Sequence, residues 1–172
     1  MTQHTLIITA LNRPGIMARI VSLLSSRDIS FDHIQGTPAE RPGLCRIHLS
    51  IRAEAGRIEQ ICKQLDKLID TIKVVDIEHG DNALVREYLL VTVAAGKRAT
   101  EVLRLVELFG ANLVEASARS ITVDLVGSSG RVDHFLERLR PFGLKDTARS
   151  GHVAVANHHK KEFNHVRSNV LR

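Results

Sequence analysis

The run HTLIITALNRPGIMARIVSLL, residues 4–24, decides how the chain folds. Its first eight residues, His4 to Leu11, are apolar and β-rich, the mark of a buried strand. Asn12-Arg13-Pro14-Gly15 stops that strand in a tight turn. From Ile16 to about Arg27, the apolar positions Ile16, Ile20, Leu23 and Leu24 recur at helical spacing. A strand, a turn and an amphipathic helix therefore follow one another directly.

Reading outward from this unit, Ile29 to Gly36 is a second strand, and Thr37 to Pro42, with two prolines, is a loop. Leu44 to Arg52 alternates: Cys45, Ile47, Leu49 and Ile51 point inward, and Arg46, His48, Ser50 and Arg52 point outward. Glu54 to Thr71 is a long helix with Ile58, Ile61, Cys62, Leu65, Leu68 and Ile69 on one stripe. Lys73 to Glu78 closes the unit as a strand. The order is βαββαβ.

His79 to Val85, containing Gly80-Asp81-Asn82, reads as a link, after which the pattern restarts. Glu87 to Ala95 is a strand and Ala99 to Phe109 a helix. Asn112 to Ala118 and Ser120 to Val126 are paired strands. Gly127-Ser128-Ser129-Gly130 opens a helix from Arg131 to about Arg140, which Pro141 and Gly143 end. Leu144 to Val155 holds a last strand. The expected fold class is α+β, two tandem ferredoxin-like βαββαβ units, spanning residues 1–79 and 80–156. The strand after the first helix lies on an edge of such a sheet. A bare edge invites pairing with another copy, so a homodimer joined along the sheet is expected.

The chain has 172 residues, 44% of them apolar and 25% charged, enough to bury a core. Its formal charge is +5, which raises the question of nucleic acid. Residues 157–172 carry Lys160, Lys161, Arg167 and Arg172 against Glu162 alone, so the basicity belongs largely to a polar tail, read as poorly ordered. Aromatic residues make up 3%, with none on Leu44 to Arg52, which argues against a base-stacking RNA module. Cys45 and Cys62 fall on apolar stripes and read as reduced core residues in a cytoplasmic protein. Neither a secretory leader nor a membrane-length apolar run is visible. No catalytic motif appears among the histidines; His33, beside Asp32, is weighed as a general base and read as a surface residue.

Asn12 to Gly15 is the candidate site. Free N–H groups at a helix start attract carboxylate, aided by the helix dipole. Pro14 pre-sets the turn, Gly15 lets a ligand approach the backbone, and the Asn12 amide both accepts and donates. Ile16 and Met17 would wall a small apolar pocket. The set suits a zwitterion with a short aliphatic side chain; the plainer alternative is an ordinary strand-to-helix turn. Gly127 to Gly130 offers a phosphate cradle or a KH-like loop, against the same plainer alternative.

These residues resemble the small, regulatory subunit of acetolactate synthase (acetohydroxyacid synthase), whose first half is an ACT domain. Four stretches carry the likeness: Asn12-Arg13-Pro14-Gly15 with Ile16 to Leu24; Leu65 to Asp70 with Ile72-Lys73-Val74; Arg86-Glu87 with Leu90-Val91; and a C-terminal set. That set is Ser120 to Val123, Gly127, Asp133 with Phe135-Leu136, Pro141-Phe142-Gly143, and Ala148-Arg149-Ser150-Gly151. The resemblance covers about Thr5 to Val155 and implies a chain without an active site. It also implies a partner: a catalytic large subunit using thiamine diphosphate, Mg²⁺ and FAD. The small subunit raises that partner's activity and confers feedback inhibition by a branched-chain amino acid, usually valine, held between two ACT domains. Carried over by position, the effector residues are Asn12, Pro14, Gly15, Ile16, Met17, Ser30 and Phe31. Ser30 stands where the family has Asn, and Ala18 where it commonly has Ser. A stand-alone ACT sensor acting on a different enzyme is the alternative.

Overall fold

The computed structural model describes residues 2–78, 83–156 and 165–166. The chain divides into two compact units, Met1–Leu84 with Ala154–Arg172, and Val85–Val153. The first contains β1 (Thr2–Leu11), α1 (Ile16–Ser25), β2 (Phe31–Pro38), β3 (Leu44–Ala53), α2 (Ala55–Asp66) and β4 (Thr71–Glu78). Its strands pair antiparallel in the order β4-β1-β3-β2. Leu6, Ile8 and Ala10 of β1 alternate onto the face that also carries Ile47, Leu49 and Ile51. The helices lay Ile16, Ile20 and Leu24, and Ile58, Ile61 and Leu65, on that face. Each such side chain contributes about 1.5–3 kcal/mol on full burial.

The second unit repeats the order with β5 (Ala83–Val93), α3 (Ala99–Leu108), β6 (Asn112–Ala116), β7 (Ile121–Gly127), α4 (Ser129–Leu139) and β8 (Leu144–Arg149). Its sheet runs β6-β7-β5-β8. Leu89, Val91 and Val93 meet Val102, Val106, Val132, Phe135 and Leu139 in the core. A short β9 (Val153–Ala156) also pairs with β5, and β10 (His165–Val166) pairs with β4. Both units are ferredoxin-like. The expected link at Gly80-Asp81-Asn82 and most of the tail lie outside the described residues.

Several boundaries move. β5 begins at Ala83, so the end of the expected link is strand. The last strand is two, β8 and β9, separated where Gly151 takes φ +69° and Ser150 N–H donates to the Tyr88 carbonyl. The long helix ends at Asp66 rather than Thr71. Ile69, expected on its buried stripe, is 84% exposed, because the chain leaves the helix after Lys67 and turns into β4. Apolar periodicity continued past the point where the backbone stopped following it.

The outer face of the first sheet also departs from alternation. His48 and Ser50, expected in solvent, are 6% and 1% exposed. Thr5, opposite Ser50, and Ile77, opposite Thr5, are buried on the same face. The His48 Nε2 atom lies 3.2 Å from the Ala154 carbonyl oxygen, so the returning chain covers this ring. Burial pushes the His48 pKa below its ordinary 6.5, helped by Arg46 and His33 and opposed by the Ala154 carbonyl. The unfolded chain therefore takes up the proton first on acidification, and stability falls as pH drops below about 6.5. Urea midpoints measured from pH about 7.5 down to about 5.5 are expected to fall, and to fall less in His48→Gln.

Both cysteines behave as core residues. Cys45 is buried and Cys62 packs half-buried against the first core. Burial pushes the Cys62 thiol up to about 12, with Asp76 adding to the effect, so at neutral pH it is a thiol and not a nucleophile.

Candidate effector-binding turn

The turn between β1 and α1 is held by backbone bonds from three directions. Leu11 N–H donates to the Asp70 carbonyl and Asn12 N–H to the Gly43 carbonyl, both at 2.8 Å. Arg13 N–H closes back on the Leu11 carbonyl at 2.9 Å. Gly15 sits in the left-handed region at φ +87°, which costs an L side chain about 1–2 kcal/mol. A Cβ there would touch nothing within 4 Å, so the backbone torsion alone calls for glycine. Gly15 is also the N-cap of α1 and supplies no side-chain cap. Ile16 N–H closes on the Arg13 carbonyl at 3.3 Å, which leaves the next N–H groups of α1, those of Met17 and Ala18, without a backbone partner among the described residues; they and the dipole favour an anion. The Asn12 side chain makes no hydrogen bond among the described residues.

The apolar neighbours divide. Ile16 is 5% exposed and turns into the core instead of walling a pocket. Met17 is half-buried and lies over β2, its sulfur 3.4 Å from where a Cβ on Gly36 would stand. Met17 is therefore the apolar side chain available at the turn.

Ser30 and Phe31 are elsewhere. Phe31 pairs with Ile51, which pairs with His4, at the start of β1. The turn follows Leu11, at the other end of β1 and opposite Leu44. Seven residues of strand separate the two levels, roughly 20–25 Å. Ser30 is exposed and Phe31 is 36% exposed at the mouth of β2, which is an edge strand. One chain does not bring these two groups to the turn.

Apolar periodicity places Asp70 in the second helix, so the sequence does not single out Asp70 and Arg19. The Asp70 carboxylate is 1% exposed and accepts from Arg19 and, at 3.4 Å, from Arg13. Together with its backbone carbonyl it braces the turn from the start of β4. The Asp-Thr-Ile-Lys-Val run into that strand was the available signal.

In the second unit, the stretches that carried the resemblance converge. Arg149 donates to both oxygens of the buried Glu87, at 3.0 and 2.6 Å, and to Asp133 at 2.8 Å. Glu87, first among the causes, raises the Arg149 pKa further. The Gly127–Gly130 turn is closed by its own chain: the Arg131 stem lies 3.0 Å from a Cβ position on Gly127, and its guanidinium donates to the Phe109 carbonyl. Ser128 caps α4 by accepting from Arg131 N–H. The ordinary-turn alternative is the one this packing supports.

Two buried histidines, His4 and His152, hold structural contacts. His4 bonds Asp76 at 3.0 Å while 2% exposed. His152, overlooked in the sequence, is 5% exposed and meets Ser129 Oγ at 2.7 Å, tying the start of α4 to the loop after β8. His33 is half-buried rather than a surface residue. Among the described residues, no group of three or more His, Cys, Asp or Glu is arranged to hold a metal ion. No helix among them is long and apolar enough to cross a membrane.

Two ferredoxin-like units of the ACT type, in tandem, define the class of this chain. A family model described as an AHAS small subunit-like ACT domain matches residues 6–73, and one described as the small subunit of acetolactate synthase matches 86–158. A probable acetolactate synthase small subunit of Methanothermobacter thermautotrophicus is 36% identical over 160 residues, covering 91% of this chain and 95% of that one. The acetolactate synthase small subunit of Bacillus subtilis is 35% identical, covering 87% of each. The crystal structure of the small subunit from Thermotoga maritima superposes with a TM-score of 0.86 at 28% identity, covering 91% of this chain and 98% of that one. The chain belongs to the acetolactate synthase small-subunit family.

Proposed function

We propose that this chain works in the cytoplasm as the regulatory subunit of acetolactate synthase. It activates a catalytic large subunit, which carries the thiamine diphosphate, Mg²⁺ and FAD. It makes that enzyme sensitive to valine or another branched-chain amino acid. The observation that carries the reading is the division of the candidate effector residues between opposite ends of the first sheet, the turn after β1 at one end and Ser30 and Phe31 at the other, where the edge strand β2 begins. Antiparallel pairing of β2 with β2 of a second copy sets the Phe31 end of one strand beside the Pro38 end of the other. That arrangement delivers Ser30 and Phe31 of the second copy to the Asn12–Gly15 turn of the first. A homodimer through the ACT units is therefore part of the proposal.

The chemistry at such a joint site follows from the groups present. The effector carboxylate takes the N–H groups of Met17 and Ala18 at the start of α1, and its ammonium donates to the Asn12 side-chain amide oxygen. Its aliphatic side chain lies against Met17. Ser30 contributes a hydroxyl, with one donor and a shorter reach than the amide the family resemblance implies there. Regulation requires that the effector bind two arrangements of the dimer with different affinity.

The test is to mix the chain with a thiamine-dependent large subunit and measure acetolactate formation with and without valine. Activation, and its reversal by valine, is the expected result. Calorimetry with valine, leucine and isoleucine reads the effector step alone, and Asn12→Ala is expected to weaken binding roughly 5- to 150-fold. An unchanged large-subunit rate with intact effector heat would instead indicate a stand-alone sensor.

A further inference from the structure

The turn after α1 and the exposed flank of α2 enclose an open cleft of about 510 Å³. Four cations line it, Arg27, Arg57, Lys63 and Lys67, and no carboxylate does. Ile61, 2% exposed, and Ile29 form an apolar floor, and the amides of Gln60 and Gln64 lie between the charges.

Elsewhere in the first unit four arginines meet carboxylates. Arg13 and Arg19 share Asp70, Arg46 meets Glu40 and Arg52 meets Asp32. Arg27 donates only to neutral groups, Gln64 Oε1 at 3.0 Å and Ser26 Oγ at 3.2 Å. Arg57 donates to the carbonyls of Arg27 and Asp28, which completes the end of α1. Lys63 reaches Glu59 on the exposed side of α2, and Lys67 has no carboxylate partner among the described residues. The C-terminal dipole of α2 accounts for part of the attraction for Lys63 and Lys67. It does not account for Arg27, which joins them across the cleft. Like charges gathered around a concave, partly apolar surface repel one another and focus a positive potential outward.

The geometry suits a polypeptide better than a free phosphate. A phosphate site gathers donors onto one point, usually backbone N–H groups. Here the cations are spread along a groove on separate side chains, with aliphatic surface between them. We propose that this cleft docks an acidic segment of the catalytic large subunit, its carboxylates on Arg27 and Lys67 and an apolar side chain on Ile29 and Ile61. The inference rests on the regulatory-subunit reading above.

The experiment measures binding of the full chain to the cofactor-loaded large subunit, at low and high salt. It compares wild type, Arg27→Glu with Lys67→Glu, and the milder Arg27→Gln with Lys67→Gln. Arg57 is left in place because it holds α1. The charge-reversed chain is expected to bind at least about tenfold more weakly at low salt, with a shallower salt dependence, and the neutral pair is expected to fall between. Unchanged thermal unfolding and unchanged valine heat establish that both variants are folded. Wild-type affinity and salt dependence in the charge-reversed chain would overturn the docking proposal. So would saturable heat with inorganic pyrophosphate that the charge-reversed chain loses while it still binds the large subunit normally; the cleft would then be a phosphate site. A wild-type chain that neither binds nor activates the large subunit overturns the regulatory-subunit reading, and the docking proposal with it.

Discussion

Phe135→Ala is expected to destabilise the second unit by about 3–5 kcal/mol, the largest effect of any single substitution considered. Phe135 is 0% exposed and stands on the inner face of α4. Its ring lies 5.0 Å from that of Phe109, tilted by 42°, and it is the largest fully buried side chain of the described residues. Truncation removes the transfer energy of the ring and leaves a cavity that Val102, Val106 and Val132, all held by regular structure, cannot refill. A domain whose net stability is about 5–15 kcal/mol then sits close to its unfolding threshold. Urea titration followed by circular dichroism reads the change. Phe135→Leu, which keeps most of the volume, is expected to cost far less. If the signal to the large subunit leaves through the second unit, Phe135→Ala loses activation while valine heat from the first unit persists.

The second large effect is expected at Asp70. Its carboxylate is 1% exposed, and both partners are arginines with substantial solvent contact, 49% for Arg19 and 65% for Arg13. Removing it does not strand a buried cation, so the cost is that of the charge-assisted hydrogen bonds, about 2–4 kcal/mol in total. Asp70→Asn keeps the shape and one acceptor and is expected to lose about half as much. The functional consequence is the more telling. Arg13 lies inside the turn and Arg19 on the first turns of α1, so loss of Asp70 frees the frame that aims the helix N–H groups. Calorimetry is expected to show weakened effector binding in both variants, more in Asp70→Ala, although Asp70 is not placed to touch the effector.

The architecture was legible because it rests on periodicity. Period-2 runs such as Leu44 to Arg52 and period-3.6 stripes such as Ile16 to Leu24 each bury one face. Their repeated order admits few topologies. The candidate turn was legible for a local reason as well: Pro14 and Gly15 restrict torsions within four residues of one another. The Glu87–Arg149–Asp133 network shows a different kind of legibility. Its members were visible as separate stretches of a family resemblance, while their convergence, across 62 residues between Glu87 and Arg149, was not.

Where the reading and the structure diverge, a partner distant in sequence is responsible. His48 and Ser50 occupy the outward positions that alternation assigns them. Both are buried, and the His48 ring meets the carbonyl of Ala154, 106 residues further along the chain, a contact that no local pattern records. Ile69 continues an apolar stripe that the backbone leaves at Lys67, since Asp70 is needed beneath the turn. The opening run, residues 4–24, thus determined by itself a strand, a turn and a helix with unpaired N–H groups at its start, because those follow from side-chain alternation and backbone torsion. Only the tertiary structure decided that Asp70 braces the turn and that Ser30 and Phe31 lie a full strand away. Strand register and long-range ion pairs join residues whose separation along the chain carries no periodic signal.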